Sequence, residues 1–168
     1  MPGESEDVWA RAIPTYRHFG GHRYEIHPSR LDNVDVLRGA VNAHRGIFDS
    51  PAFLAKSPFN SLRIPALIAL WGDTIRFVDI VRNRHDSGQS MSRNHFEFVR
   101  DGRLLSPESA WTLFVTAIER DAPPNQLLTV THADLRADPK STVAAVLAWL
   151  DAYTAGDSER HSADGLSS

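Results

Sequence analysis

The clearest change from apolar to polar positions in the chain lies between residues 75 and 90. The segment 75–81 has the sequence IRFVDIV and is dominated by β-branched and apolar side chains, which predicts a buried strand. The next nine residues, RNRHDSGQS, are polar and end where a helical pattern begins. In open α/β sheets, ligands bind at the carboxyl ends of the parallel strands. The pattern therefore predicts a strand that delivers cationic and hydroxyl side chains to an anion site.

Apolar residues recur every three or four positions in five other segments, which predicts helices. The predicted helices span residues 33–48, 61–71, 91–99, 107–122 and 140–153. Short apolar runs predict two further strands, at 52–55 and 127–131. The strand 52–55, the helix 61–71 and the strand 75–81 would form a βαβ unit with parallel strands. This alternation of strands and helices predicts an α/β fold.

The two ends of the chain lack such a pattern. Residues 1–31 are expected to be irregular, with one short helix at 6–12. Residues 154–168 are small and polar, which predicts a disordered tail. A chain of 168 residues is the size of one domain, so a single domain is predicted over residues 1–153.

Composition excludes several classes of function. The net charge of −3 gives no general attraction to nucleic acid or to anionic membranes. The chain has no cysteine, which excludes disulfides, cysteine-ligated zinc and thiol nucleophiles. No window approaches 18 consecutive apolar residues, and the acidic start of the chain lacks the apolar core of a signal peptide. We therefore expect a soluble cytoplasmic protein with no nucleic-acid or membrane partner.

Three histidines near the start of the chain raise the question of a metal site. His18, His22 and His27 are separated by four and five positions, a spacing that would suit metal ligands on a helix. Gly20 and Gly21 argue against a continuous helix there. We expect an irregular segment and no metal.

Three segments resemble, in this order, the sulfotransferases that use 3′-phosphoadenylyl sulfate. The segments are KSPFNSLRIP at 56–65, FVDIVRNRHD at 77–86 followed by Ser90, and LTVTHADLRADP at 128–139. The similarity covers roughly residues 53–150. It implies a three-layer α/β fold, in which helices flank a mostly parallel central sheet, and sulfuryl transfer to a hydroxyl or amine of a small-molecule or carbohydrate acceptor.

The resemblance implies a nucleotide-binding role for three residues. In the family, an arginine at the end of a strand and a serine eight positions later bind the 3′-phosphate, and Arg82 and Ser90 have this spacing. Guanidinium groups offer several fixed donors to phosphate oxygens, and a serine at a helix start adds a hydroxyl where the dipole favours anions. His132 occupies the position of an aromatic residue that packs near the adenine.

Lys56 aligns with a lysine near the transferred sulfuryl group, where a cation would stabilise charge that develops on the oxygens. In the cytosolic branch of the family a catalytic histidine follows this lysine by two positions, but Pro58 stands there in this chain. A histidine base at that position is excluded. His44, His85 and His95 are the other candidates for a general base, and none of them stands out.

One part of the family pattern is not recognisable in the sequence. The family begins with a strand and a glycine-rich phosphosulfate loop, and nothing before Lys56 resembles them. We therefore expect a fold that lacks this first strand and loop, through a truncated gene product, a wrongly assigned start codon or completion by another chain. The last possibility includes a partner chain or a homo-oligomer that covers the exposed edge of the sheet.

Two functional hypotheses follow from these observations. The first is a sulfotransferase that uses 3′-phosphoadenylyl sulfate as co-substrate. The second is a non-catalytic sulfotransferase-like module or remnant that binds a nucleotide or a partner protein, and the unrecognised phosphosulfate loop supports it.

Overall fold

The computed structural model of the chain describes residues 23–26, 34–49 and 52–164, with side chains up to residue 152. The helices are α1 (Val34–Ile47), α2 (Ile64–Trp71), α3 (Arg84–Arg93), α4 (Pro107–Asp121), α5 (His132–Ala137) and α6 (Pro139–Asp164). The strands are β1 (Arg23–Glu25), β2 (Phe77–Val81), β3 (Glu97–Arg100), β4 (Arg103–Leu104) and β5 (Leu127–Thr131). Short 3-10 helices span Pro58–Arg63 and Gly72–Thr74. The predicted α/β class is confirmed. Within these residues, no helix combines the length and apolar character needed to cross a membrane.

The chain packs into two compact units. The first falls within Met1–Asp73 and Asn83–Ala122, and the second within Thr74–Arg82 and Pro123–Ser168. The described strands of the first unit form a three-stranded sheet in the order β1-β3-β4, and those of the second form the parallel pair β2-β5. The single domain over residues 1–153 and the three-layer central sheet stay predictions.

Aromatic side chains form the core of the first unit. Phe59 and Phe98 both pack against Phe114, with ring centroids 5.9 and 5.4 Å apart and interplanar angles of 85° and 78°. Such edge-to-face contacts are the favoured geometry for aromatic pairs. The buried members of the cluster are Ile26, Phe59, Phe98, Ala110 and Phe114. The cluster therefore joins β1, the 3-10 helix at Pro58–Arg63, β3 and α4.

The helix predicted for residues 91–99 is wrong from residue 94 onward. Helix α3 ends at Arg93, and the chain then forms a β3–β4 hairpin in which Val99 pairs with Leu104. Asp101 and Gly102 turn the hairpin with positive φ angles of 51° and 74°. Two positive φ values in succession match the right-handed twist of hairpin strands, and Asp-Gly is a preferred sequence for this turn.

The strand predicted for residues 52–55, and with it the predicted βαβ unit, is also wrong. Residues 52–57 have no regular secondary structure, and Leu54 is 92% exposed. At Ser57 the chain instead enters the 3-10 helix, since the Ser57 side chain accepts a hydrogen bond from the backbone N–H of Phe59 and Pro58 is the first helical residue. The parallel neighbour of β2 is β5.

Helix α4 and strand β5 agree with the sequence prediction. Ser106 is the N-cap of α4 and accepts a hydrogen bond from the backbone N–H of Ser109, and Pro107 stands in the first turn. The buried face of α4 includes Ala110, Phe114 and Ala117. These local signals specify the helix because its cap and its apolar face lie within one segment of sequence.

The second unit is built on the parallel pair of β2 and β5. Phe77 pairs with Leu127, and the register continues without a bulge to Val81 and Thr131. Gln126 is 2% exposed and ties the start of the two strands together, because its carbonyl accepts from Phe77 N–H at 2.8 Å and its side chain donates to the Ile75 carbonyl at 3.2 Å.

The ends of the described chain differ from the pattern-based prediction. Strand β1 lies inside the segment 1–31, which we predicted to be irregular, and it pairs in parallel with β3. Helix α6 does not end at residue 153 but continues to Asp164, through most of the segment 154–168 that was predicted as a disordered tail. The predicted helix at 6–12 and the histidines at 18, 22 and 27 lie outside the described residues.

Candidate functional site

The parallel register of the second unit brings two of the predicted site residues together. Val81 pairs with Thr131, and the next residues along the two strands are Arg82 and His132. Adjacent strands lie ~4.8 Å apart, so the backbones of Arg82 and His132 leave the sheet side by side. Both side chains are half-buried. A guanidinium and an imidazole thus share the carboxyl end of a parallel strand pair.

The backbone at His132 is held by a local cap. Thr131 is the N-cap of α5, and its hydroxyl oxygen accepts a hydrogen bond from Asp134 N–H at 3.0 Å. The same hydroxyl donates to Oδ2 of Asp134 at 2.6 Å. This reciprocal pair fixes the turn from β5 into α5. Asp134 therefore serves the local backbone, and His132 is presented as the first residue of the helix.

Ser90 does not lie at a helix start, which corrects part of the reason for selecting it. Helix α3 begins at Arg84, so Ser90 is in its second half, where its carbonyl accepts from the backbone N–H of Asn94 at 3.1 Å. Free backbone N–H groups are found only in the first turn of a helix. Only the hydroxyl of Ser90 is therefore available to an anion.

The residue that determines the start of α3 is Asn83, which the sequence reasoning missed. Its Oδ1 accepts from the backbone N–H of Asp86 at 2.8 Å, and its Nδ2 donates to Oδ2 of Asp86 at 2.7 Å. Asparagine is among the strongest N-caps, and the Asn-x-x-Asp spacing was visible in the sequence. The sequence thus contains a start signal for α3, although the apolar pattern predicts that the helix begins seven residues later.

Lys56 lies in the first unit, in the exposed segment that leads into the 3-10 helix. Ser57 and Pro58 cap and begin that helix, and Phe59 is anchored in the aromatic core. Asn60 donates from Nδ2 to the Ala55 carbonyl at 3.4 Å, which closes the segment around Lys56. Lys56 is therefore exposed to solvent, and the residues that follow it are held in place by these contacts.

The three candidate bases have different surroundings. His85 lies in α3, with its Nε2 2.8 Å from Nε2 of Gln89. His95 has a positive φ of 55° in the turn between α3 and β3. His44 lies in the last turn of α1 with its ring against Phe48 and Phe53. All three histidines are exposed, and His44 also belongs to an aromatic cluster that sequence reasoning did not identify.

Asp79 is a titratable group within β2 itself. It pairs with Thr129 of β5, and partial burial raises the pKa of its carboxyl above the ordinary value. Along the described chain, no three His, Asp or Glu side chains converge in a way that could hold a metal ion.

Comparison with known proteins identifies a protein family. The model of the sulfotransferase family matches residues 7–155, which includes all four residues proposed from the sequence: Lys56, Arg82, Ser90 and His132. No curated protein and no solved structure shows significant similarity to the chain. The family match extends further toward the start of the chain than the three motifs, since it also includes residues 7–52.

Proposed function

Because the chain belongs to the sulfotransferase family, we propose that it transfers a sulfuryl group from 3′-phosphoadenylyl sulfate to a hydroxyl or amine of a small-molecule or carbohydrate acceptor. The acceptor oxygen or nitrogen forms a bond to sulfur while the bond from sulfur to the bridging phosphate oxygen breaks. The products are the sulfated acceptor and 3′-phosphoadenosine 5′-phosphate. The acceptor proton passes to a base or to solvent.

The observation that supports this proposal most directly is the pairing of β2 with β5. It places Arg82 and His132 side by side at the carboxyl end of two parallel strands, which is where open α/β folds bind nucleotides. The guanidinium of Arg82 would donate charge-assisted hydrogen bonds to the 3′-phosphate. The ring of His132 would stack on the adenine or donate a hydrogen bond to it.

The proposed role of Ser90 is narrower than the sequence suggested. Its place eight residues after Arg82 still matches the family motif. Because α3 has no free backbone N–H groups at Ser90, this serine would contribute one hydrogen bond from its hydroxyl to the phosphate. We expect it to matter less for binding than Arg82.

Lys56 is the proposed catalytic residue. As sulfuryl moves, negative charge builds up on the bridging oxygen and on the equatorial oxygens of the sulfuryl group. An ammonium group directed at these oxygens would stabilise the transition state more than the bound substrate, so it would raise the rate of the chemical step.

A second candidate function is a nucleotide-binding or partner-binding module without catalysis. Two observations favour it. The motifs recognised in the sequence would supply contacts for the 3′-phosphate and adenine, but none resembles the phosphosulfate loop. In addition, Val78 and Ile80 of β2 are 38% and 53% exposed, although parallel strands usually have both faces covered. A partner chain or a second copy of the protein would cover this surface.

The two candidates are separated by measuring binding and transfer on the full chain. Binding of 3′-phosphoadenosine 5′-phosphate is measured by calorimetry. Transfer from 3′-phosphoadenylyl sulfate to 2-naphthol, 4-nitrophenol and D-glucosamine is followed by mass spectrometry of the sulfated products. Nucleotide binding with transfer supports the enzyme. Nucleotide binding without transfer to any acceptor supports the module, and a chain that does not bind the nucleotide contradicts both nucleotide-dependent functions.

A further inference from the structure

The side chain of Asn60 joins the two ends of the loop that carries Lys56. Its Nδ2 donates a hydrogen bond to the Ala55 carbonyl at 3.4 Å, across five residues. Lys56 directly follows Ala55 and is exposed. The distance is longer than usual for an N–H···O bond, so the contact is a weak closure. The loop that holds the proposed catalytic lysine is therefore shut by one side chain in a bond that opens easily.

The second half of this loop is held by contacts that do not involve the Asn60 amide. The hydroxyl of Ser57 accepts from Phe59 N–H at 3.3 Å, and the Ser57 carbonyl accepts from the backbone N–H of Asn60 at 3.0 Å. The hydroxyl of Ser61 donates to the Pro58 carbonyl at 2.7 Å. Phe59 is buried in the aromatic core. These contacts fix residues 57–61, and the hydrogen bond of the Asn60 amide extends that hold back to residue 55.

Stability alone does not explain an asparagine at this position. Its Nδ2 must face the Ala55 carbonyl, since only the nitrogen can donate, so Oδ1 lies on the other side of the amide. Oδ1 is buried and accepts no hydrogen bond within the described residues. A buried acceptor without a donor costs stability, and an apolar side chain of similar size would avoid that cost. The amide therefore adds little to the net stability of the fold, and its clear effect is on the position of residues 55 and 56.

We propose that Asn60 is a positioning residue for Lys56. It acts through the Ala55 carbonyl, since the closed hydrogen bond gives the backbone at Lys56 one place relative to the fixed residues 57–61. The inference rests on the proposed sulfuryl transfer, in which Lys56 is the catalytic residue. A misplacement of about 1 Å in a catalytic group can cost a hundredfold in rate, so a lysine on an irregular segment needs such a restraint.

The first measurement is the cleavage of the folded full chain by a lysine-specific endopeptidase. The chain has two lysines, Lys56 and Lys140, so the fragment masses identify each cut. Cleavage after Lys56 requires the loop to open, because a protease binds an extended backbone. Asn60→Leu and Asn60→Ala should each raise the rate at Lys56 about twofold to tenfold, the factor that one neutral hydrogen bond contributes to the opening equilibrium. The rate at Lys140, on α6, should stay unchanged.

The second measurement is the kinetics of sulfuryl transfer. Asn60→Leu should lower kcat roughly tenfold to a hundredfold and leave the KM for 3′-phosphoadenylyl sulfate nearly unchanged, because the lysine stays present but loses its position. Its melting temperature should equal or exceed that of the wild type, because the buried Oδ1 is gone. Asn42→Ala is the matched control, since Asn42 is exposed on α1 of the same unit. It should change neither the cleavage rate at Lys56 nor kcat.

The two measurements separate this inference from the proposed function. If the wild type transferred no sulfuryl group but both Asn60 variants were cut faster at Lys56 alone, the proposed function would be wrong and the placement of Lys56 by Asn60 would be supported. Unchanged cleavage at Lys56 in both variants would overturn the inference. Faster cleavage at Lys140 as well would also overturn it, because Asn60 would then stabilise the fold in general. So would faster cleavage at Lys56 with an unchanged kcat in an active enzyme.

Discussion

Val81 lies opposite Thr131 in the parallel pair of β2 and β5, and this pairing carries Arg82 and His132 to the same end of the sheet. The sequence selected these two residues from different motifs, separated by fifty positions. The register supplies a physical reason for their joint action, since the ends of neighbouring parallel strands present their side chains to one ligand.

Replacing Arg82 with alanine should weaken the binding of 3′-phosphoadenosine 5′-phosphate by roughly tenfold to a hundredfold, because a charge-assisted hydrogen bond contributes ~1.5–3 kcal/mol. Calorimetry on the full chain measures this change. Arg136→Ala is the matched control, since Arg136 is exposed on α5 of the same unit and should leave the affinity unchanged. If Arg82→Ala lowered the melting temperature substantially as well as the nucleotide affinity, the arginine would be a structural residue.

Lys56→Ala should lower kcat for sulfuryl transfer about a hundredfold to a thousandfold, because one electrostatic contact to the transition state is commonly worth ~3–4 kcal/mol. Nucleotide affinity and melting temperature should change little, since Lys56 is exposed. The chain has one other lysine, Lys140, which is exposed near the start of α6 and provides the control variant Lys140→Ala. Similar kcat values for the two variants would exclude Lys56 from the chemical step.

The parts of the fold that the sequence predicts well are those with local signals. Helix α4 has its cap, its first-turn proline and its apolar face within residues 106–121. Strand β5 is a short run of apolar and β-branched residues that follows a turn. Their conformation depends little on the rest of the chain. Both were therefore predicted within about two residues, which is the usual precision for element boundaries.

The errors arise where distant residues decide the structure. Strand β1 has three residues and exists through its pairing with β3, more than seventy positions away. Phe96 and Val99 fit a helical period, but the Asp101-Gly102 turn pairs their segment with β4 instead. The ring contact between His44 and Phe53 is missed for the same reason, since the apolar run predicts a strand at Phe53 and the contact with His44 is tertiary.

The carboxyl of Asp79 gives a prediction for the pH dependence of stability. Burial raises its pKa in the folded state above the unfolded value, so the unfolded chain loses its proton first as pH rises. Asp79 therefore opposes folding at neutral pH, and this effect fades as pH falls through 3.8, the ordinary value of the carboxyl, because both states then become protonated. Asp79→Asn should raise the melting temperature at pH 7, and this gain should vanish toward pH 3.

Asp121 serves as a comparison, because its replacement by asparagine should change the melting temperature at pH 7 in the opposite direction. Its pKa is lowered by the hydrogen bond from Arg120, whose Nε lies 2.7 Å from Oδ1. Asp121→Asn should lower the melting temperature at pH 7 and have a diminishing effect in acid. If Asp79→Asn lowered the melting temperature at pH 7 as well, the carboxylate of Asp79 would have a stabilising partner and its burial would not be the dominant effect.

Gly88 lies where helices α3 and α4 approach each other, and two effects compete if it is replaced by alanine. A Cβ on Gly88 would stand 3.3 Å from Oε1 of Glu108 and 3.7 Å from Cβ of Pro107. The first contact is tight, but it involves the flexible end of an exposed side chain that can move by a few tenths of an ångström. Against this small cost, alanine is favoured over glycine inside a helix by ~1 kcal/mol.

Helix propensity should therefore prevail, and Gly88→Ala should raise the free energy of unfolding by about 0.5–1 kcal/mol. Gly39→Ala in α1 is the matched control, because nothing lies within 4 Å of its added Cβ and its gain reports propensity alone. Gly88→Val should lose about 1–3 kcal/mol, since its extra methyl groups would overfill the contact with Pro107. Urea denaturation measures all three variants. A loss of stability in Gly88→Ala that Glu108→Ala restores would show that the Glu108 side chain is held in place, so that packing between α3 and α4 outweighs helix propensity.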